Sequence, residues 1–336
     1  MKIIIDAMGG DHAPEVVIEG AVAAVKEYGV DIILTGDETR IKGLLARKHY
    51  TGDKITIHPT TEIIGMSEPA AVSVRKKRHS SISVGLNLLK ENGQGAFFSA
   101  GNTGAVVCAA TLTLGLLPGV ERPGIAIVCP TLKEISLMVD VGANIDAKPL
   151  HILQYAAMAD AYSRSVLNKV KPTIGLLNIG EEATKGTDFV KETYNLLSQS
   201  NINFIGNIEG KDLFAGKCDI ILCDGFVGNI ALKVSEGVAA LIYGLIKTEF
   251  TATFMSTVAA FLLRSNLKRI RKAMDYSEYG GAPLLGVNGI VIIGHGRSSS
   301  KAIKNAIRVA KEEVERNVNA GMLDTLSKLK VPSQQA

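Results

Sequence analysis

Met1-Lys2-Ile3-Ile4-Ile5-Asp6-Ala7-Met8-Gly9-Gly10-Asp11-His12 opens the chain, and its change of character at Asp6 sets the fold class. Three consecutive isoleucines are β-branched and stiff at χ1, which favours extended backbone. The apolar run is too short for the core of a secretory leader and it ends in a carboxylate, so it reads as a first strand. A glycine-containing loop follows, then a helical pattern over Pro14–Glu27, then a second apolar run over Asp31–Leu34.

The same alternation continues outward. Strands are expected at Lys54–Ile57, Ala96–Phe98, Ile125–Val128, Ser136–Val139, Thr173–Leu177, Asn203–Ile205, Asp219–Leu222 and Gly289–Ile293, with helices such as Ala105–Leu116, Lys148–Leu167 and Asp188–Ser198 between them. Nearly continuous apolar strands alternating with helices imply an α/β fold, a three-layer and mostly parallel sheet with helices on both faces. Two strands in quick succession, near 125 and 136, break the alternation and predict an antiparallel insertion. From 230 to 274 helix follows helix with no strand, a helical excursion from the sheet. The expected organisation is one α/β domain over 1–325, with room for two lobes sharing a sheet, and a frayed tail over 326–336.

Composition narrows the function classes. Of 336 residues, 46% are hydrophobic and 21% charged, enough for a large core. The net charge of +4 is spread along most of the chain and no arginine–aromatic cluster accompanies it, which argues against nucleic acid. Cys108, Cys129, Cys218 and Cys223 lack paired spacing and nearby histidines, so they read as buried thiols in a reducing compartment. The uncharged stretch Asn92–Val120 is interrupted by glycines, Asn102 and Pro118, and fits a strand, loop and helix better than a membrane span. The chain is expected to be soluble.

In open α/β sheets ligands bind beyond the carboxyl ends of strands. Five such ends here combine glycine, asparagine and carboxylate: Asp6–His12, Ser99–Gly104, Asp140–Asn144, Asn178–Gly186 and Asp224–Asn229. Glycine allows close backbone approach to a ligand, and a loop that opens a helix offers free N–H groups to an anion. The loops at 99–104 and 224–229 run straight from strand to helix and are the best phosphate cradles, with Gly101, Gly104, Gly225 and Gly228 supplying the approach. Any one loop is ordinary structural punctuation; five together point to a site. No GxxxxGK[ST], GxGxxG with its acidic partner, GxSxG or HExxH is present. His12 and His295 sit beside loop glycine or aspartate. Neither Cys108 nor Cys223 has a partner histidine, so no covalent nucleophile is expected.

Asp6-Ala7-Met8-Gly9-Gly10-Asp11, Ser99-Ala100-Gly101-Asn102-Thr103-Gly104, Leu177-Asn178-Ile179-Gly180-Glu181-Glu182 and Asp224-Gly225-Phe226-Val227-Gly228-Asn229 together resemble the phosphate acyltransferase family of bacterial phospholipid synthesis, from residue 1 to about 325. The resemblance implies a phosphotransacetylase- and isocitrate-dehydrogenase-like fold, a homodimer, and a cytoplasmic enzyme associated with the inner face of the membrane. It also implies acyl transfer from acyl carrier protein to inorganic phosphate, with the product passing to a membrane glycerol-3-phosphate acyltransferase.

That chemistry suits the residues. Phosphate arrives as the nucleophile and a thiolate leaves readily, so no cofactor and no metal is expected. The protein's tasks are to position phosphate and to stabilise a thioester oxyanion. Loop amides with Asn102, Thr103 and Asn229 are the candidate donors, and Lys185 the candidate cation on phosphate. Asp6, Asp11, Asp140 and Asp224 would position cations and amides. An acidic carrier protein has two basic clusters to meet, Arg75-Lys76-Lys77-Arg78 and Arg264, Lys268, Arg269, Arg271 with Lys272. Phe254, Val258, Phe261 and Leu262 follow i, i+4, i+7, i+8 spacing with Met255 widening the face, which fits a helix lying in a membrane surface or packed at a dimer interface. Competing readings are a coenzyme A-dependent phosphotransacetylase, an NAD-dependent decarboxylating dehydrogenase on the same fold, and a non-catalytic membrane adaptor.

Overall fold

The computed structural model describes residues 1–274 and 278–332, with side chains for all of these except 270–274. Eleven strands form one sheet: β1 (Lys2–Asp6), β2 (Asp31–Gly36), β3 (Ile55–Pro59), β4 (Gly95–Ser99), β5 (Gly124–Pro130), β6 (Ile135–Val139), β7 (Ile174–Asn178), β8 (Phe204–Glu209), β9 (Ile220–Leu222), β10 (Ala282–Leu285) and β11 (Ile290–Ile293). Their order across the sheet is β3-β2-β1-β4-β11-β10-β5-β6-β9-β7-β8. Seven pairings are parallel and three antiparallel.

The antiparallel pairings are all central, so the sheet is two parallel halves running in opposite senses. The expected insertion is the β5–β6 hairpin. The strand over Ala282–Leu285 is an addition to the expected set; it is short and contains Pro283, which weakens its signal in sequence.

Helices α1 (Glu15–Tyr28), α6 (Pro149–Ser165), α7 (Asp188–Gln199), α11 (Ser300–Glu315) and α12 (Val318–Ser327) bury one face of the sheet, with Ile18 of α1 and Tyr162 of α6 in one core with Ile3 and Ile5 of β1. On the other face lie α3 (Ala70–Lys76), α4 (Ser81–Asn92) and α5 (Thr103–Leu114), over Ile4 and Phe97, with Leu86 of α4 in the same core. Helix α2 (Glu38–Arg47) is strongly amphipathic and buries Ile41 alone. Of the expected tail, residues up to Ser327 are helical and 333–336 lie outside the described residues.

The helical excursion is α8 (Gly225–Thr251), α9 (Phe254–Leu262) and α10 (Arg264–Met274). Only Gly225 and Gly228 of α8 are buried. At 27 residues it is long and apolar enough to cross a membrane, yet it grows directly out of a strand of the central sheet.

Candidate functional site

The register of the sheet decides where the glycine loops meet. Phe98 pairs with Ile292, Ile292 with Pro283, and beside it Leu284 with Ile125. Ala126 in turn pairs with Val139, and Val139 with Leu222. The carboxyl ends of the two halves therefore come level in the middle of the sheet. They are four strand spacings apart, about 19 Å at the usual separation. The loops face each other across a groove of about 2700 Å³, lined on one side by Asp11, Thr103 and Arg297 and on the other by Gly142, Asp224 and Asn229.

On the first side, Asp6 is fully buried at the end of β1. It accepts Met8 N–H at 3.0 Å and Ser99 Oγ–H at 2.7 Å. Burial pushes its carboxyl above the usual range, against the pull of these bonds. Ser99 Oγ also accepts Gly101 N–H at 3.0 Å, which ties the loop after β4 to the loop after β1. Asn102 then caps α5, its Oδ1 accepting Ala105 N–H at 3.0 Å. Its Nδ2 donates to the carbonyls of Gly65, Met66 and Glu68. The side chain expected to donate to substrate is thus engaged at both ends and clamps the 65–68 turn. Thr103 and Gly104 are exposed, and among the described residues their N–H groups have no hydrogen-bond partner.

On the second side, Asp140 is fully buried at the end of β6. It accepts four backbone N–H groups, from Ile125, Gly142, Ala143 and Asn144, at 2.7–3.1 Å. Burial again raises its carboxyl, with the four bonds opposing. Asn144 is held in turn by Tyr155 and Pro123 and accepts Gly225 N–H at 2.8 Å. Asp224 Oδ1 accepts the N–H groups of Phe226 and Val227, both at 2.9 Å, and Gly228 N–H reaches the Asp224 carbonyl. Every amide at the start of α8 is therefore used internally, which corrects the expectation of an open anion cradle at 224–229. What this side presents is the exposed Asn229 side chain, whose Cγ would lie 3.8 Å from a Cβ on Gly142. Loop 178–186 follows β7, which is hydrogen-bonded to β9. It is braced by Asn178 Nδ2 on the Lys185 carbonyl and leaves the Lys185 side chain exposed, with no ion pair among the described residues.

Asp11 stands 3.9 Å from Arg297 Nε. The loop at 294–297, which brings Arg297 to the groove, is a sixth glycine-bearing strand end; only His295 in it attracts notice from sequence. Among the described residues no three histidine, cysteine, aspartate or glutamate side chains are grouped to hold a metal ion. Burial pushes the thiol of Cys129 up to about 12 and that of Cys223 well above its ordinary value, so neither is a ready nucleophile.

The two basic clusters differ in how free their side chains are. Arg75, Lys76 and Arg78 are exposed on and after α3, but Lys77 is bound to Glu68 at 2.6 Å and to the Ile63 carbonyl. Arg264, Lys268 and Arg269 are exposed on α10, with Arg264 over the Phe261 ring at 4.7 Å; the Arg271 and Lys272 side chains lie outside the described residues. On α9, Phe254, Met255, Val258, Phe261 and Leu262 are all exposed, Phe254 to 81%.

The chain is 48% identical over 321 residues to a phosphate acyltransferase of Halothermothrix orenii, covering 95% of this chain and 96% of that one. It is 47% identical to a phosphate acyltransferase of Dictyoglomus turgidum, covering 98% of each. Among solved structures it is similar in fold to a phosphotransacetylase from Streptococcus pyogenes, with a TM-score of 0.63 at 18% identity and 94% of both chains covered. A branched-chain phosphotransacylase from Enterococcus faecalis gives a TM-score of 0.56 at 14% identity, covering 94% of this chain and 99% of that one. The model of the family described as fatty acid synthesis protein matches residues 1–321, and the chain belongs to that family.

Proposed function

We propose that the chain transfers a fatty acyl group from acyl carrier protein to inorganic phosphate, giving an acyl phosphate for phospholipid synthesis. The observation that carries this reading is the pair of free amides at Thr103 and Gly104, which open α5 where Thr103 lines one groove with Asn229. Two adjacent N–H groups at a helix start suit a thioester carbonyl oxygen as it becomes negative. Lys185 and Asn229, on the opposite side, take the phosphate oxygens. A phosphate oxygen attacks the carbonyl carbon, the C–O bond forms, the C–S bond breaks, and the departing thiolate takes the proton of hydrogen phosphate. Asp6, Asp140, Asp224 and Asn102 hold the loops rather than touch substrate, and Asp11 orients Arg297.

Arg75, Lys76 and Arg78 together with Arg264, Lys268 and Arg269 offer an acidic carrier protein two basic faces. Leu241 and Leu245, also exposed on α8, support a homodimer. The apolar tip at α9, followed at once by the basic α10, supports attachment to the cytoplasmic face of a membrane, where a glycerol-3-phosphate acyltransferase would take the product.

Purified protein given long-chain acyl carrier protein and phosphate is expected to form acyl phosphate without nucleotide, and Lys185→Ala to raise the KM for phosphate about tenfold or more. A clear preference for coenzyme A thioesters would move the assignment to a phosphotransacetylase. Phe254→Glu with Phe261→Glu is expected to release the protein from anionic vesicles in a flotation assay while soluble turnover persists. Failure of the unmodified protein to float would remove the membrane assignment.

A further inference from the structure

The groove between the glycine loops has an apolar lining that the transfer reaction itself does not use. On its floor β5 contributes Ile125, Ile127 and Cys129, alternate residues of one strand and so on one face of the sheet. Met138 of β6 is paired directly with Ile127. The opposing wall is α8, where Ile230, Val234, Val238 and Ile242 recur every fourth residue and line the same groove. Each of these four is about half exposed, so the body of the protein leaves the stripe uncovered. The two apolar rows start beside the polar end at Gly142 and Asn229 and lead away from it.

We propose that this double row is the slot for the acyl chain of the donor, and that Val234, Val238 and Ile242 measure its length. The proposal rests on the acyl-to-phosphate reading above. That reaction brings one long apolar group to the groove, and its carbonyl end must stop among Thr103, Gly104 and Asn229. A hydrocarbon asks no hydrogen bond of its surroundings, and it gains about 25 cal/mol for each Å² of apolar surface it covers. Each fourth residue advances a helix by about 6 Å, so the stripe from Ile230 to Ile242 is about 18 Å long. An extended chain with C–C bonds of about 1.5 Å advances roughly 1.3 Å per carbon, so about fourteen carbons fill that length.

The test uses the full-length protein and follows the ratio of kcat/KM for long-chain over short-chain acyl carrier protein, with phosphate as acceptor. Because the α8 side chains are half exposed, a larger residue there does not disturb the core. Val234→Trp, near the polar end, is expected to lower the ratio at least tenfold. Ile242→Trp is expected to lower it less and only for the longest donors. Equal loss for every donor length, or an unchanged ratio in both variants, overturns the slot. A change in oligomeric mass by light scattering with the ratio intact also overturns it and assigns the stripe to contact between two copies. If the unmodified protein transferred neither acyl group to phosphate, the reading of the activity would fail first. Displacement of a fluorescent long-chain fatty acid by Val234→Trp would then still support the slot, and undiminished binding of that probe would sink it.

Discussion

The two sides of the groove use the same part for different ends. Each begins with a buried aspartate at the end of a strand, Asp6 on β1 and Asp140 on β6, and each leads to a helix start. Asp140 gathers four backbone N–H groups, and the α8 start it supports has all its amides consumed by Asn144 and Asp224. Asp6 gathers fewer, and the α5 start beside it keeps two amides open. A closed helix start holds position and only an open one has N–H groups to offer, since an N–H already bonded in the protein has little left for a ligand. Identical-looking Gly–Asn loops therefore divide into a wall whose amides are all bonded and a wall that keeps two amides free.

The contrast can be broken most sharply at the closed wall. A Cβ on Gly228 would stand 1.9 Å from the Asp140 carbonyl oxygen, with no side chain able to move aside. Gly228→Ala is expected to destabilise the protein by about 4 kcal/mol or more in denaturant unfolding, at the top of the range for single changes. Gly104→Ala, whose new atom would meet the Ala70 methyl at 3.0 Å and Asn102 Oδ1 at an ordinary 3.6 Å, is expected to cost about 1 kcal/mol or less. Similar losses at both positions would erase the distinction between the walls.

A third buried carboxyl sharpens the point about donors. Glu313 on α11 has Tyr162 Oη–H at 3.0 Å as its partner, and burial pushes it up to about 8. Because the folded value lies above the unfolded one, the stability it permits is complete below pH 4.5 and is lost as pH rises toward 8, at about 1.4 kcal/mol per unit. Glu313→Gln is expected to flatten the unfolding midpoint over that window and to leave acyl transfer in place. An unaltered slope would mean that the Glu313 carboxyl is ionised in the fold.

The smallest change reaches the open wall. Thr103 is the first residue of α5, where proline fits the helix and removes one N–H. Thr103→Pro is expected to lower kcat roughly a hundredfold, as the loss of one oxyanion donor does, with little change in melting temperature. If the KM for phosphate rose instead with kcat intact, the amides would be the phosphate site and Lys185 would lose that role.

Much of this was legible beforehand, for physical reasons. Buried strands such as Ile3–Ile5 and Asp31–Leu34 announce themselves by β-branched runs, and the β5–β6 hairpin by two such runs too close for a helix between them. Strand β10 did not, because four residues with a proline give no period. The glycine loops were visible as a set, but which amides stay free was not. Asn102 as a helix cap is a local matter; its hold on the carbonyls of residues 65–68 joins segments more than thirty residues apart and emerges only when the chain is folded. The two halves of the sheet likewise come level through a register passing over five strands, which no local pattern encodes.

That register has a consequence for synthesis. Strands β10 and β11 sit in the middle of the sheet although they belong to the last sixth of the chain, and α11 packs with α1 across the protein's full length. While the nascent protein is still on the ribosome, β4 and β5 have no neighbour on their central edges, and the apolar face of α1 has no α11 to cover it. Such edges invite pairing with other chains, so the interval before release is the one in which a chaperone has most to shield. Removing the last sixty residues would not trim an end but part the sheet along its midline, taking away the floor on which the two glycine walls come level.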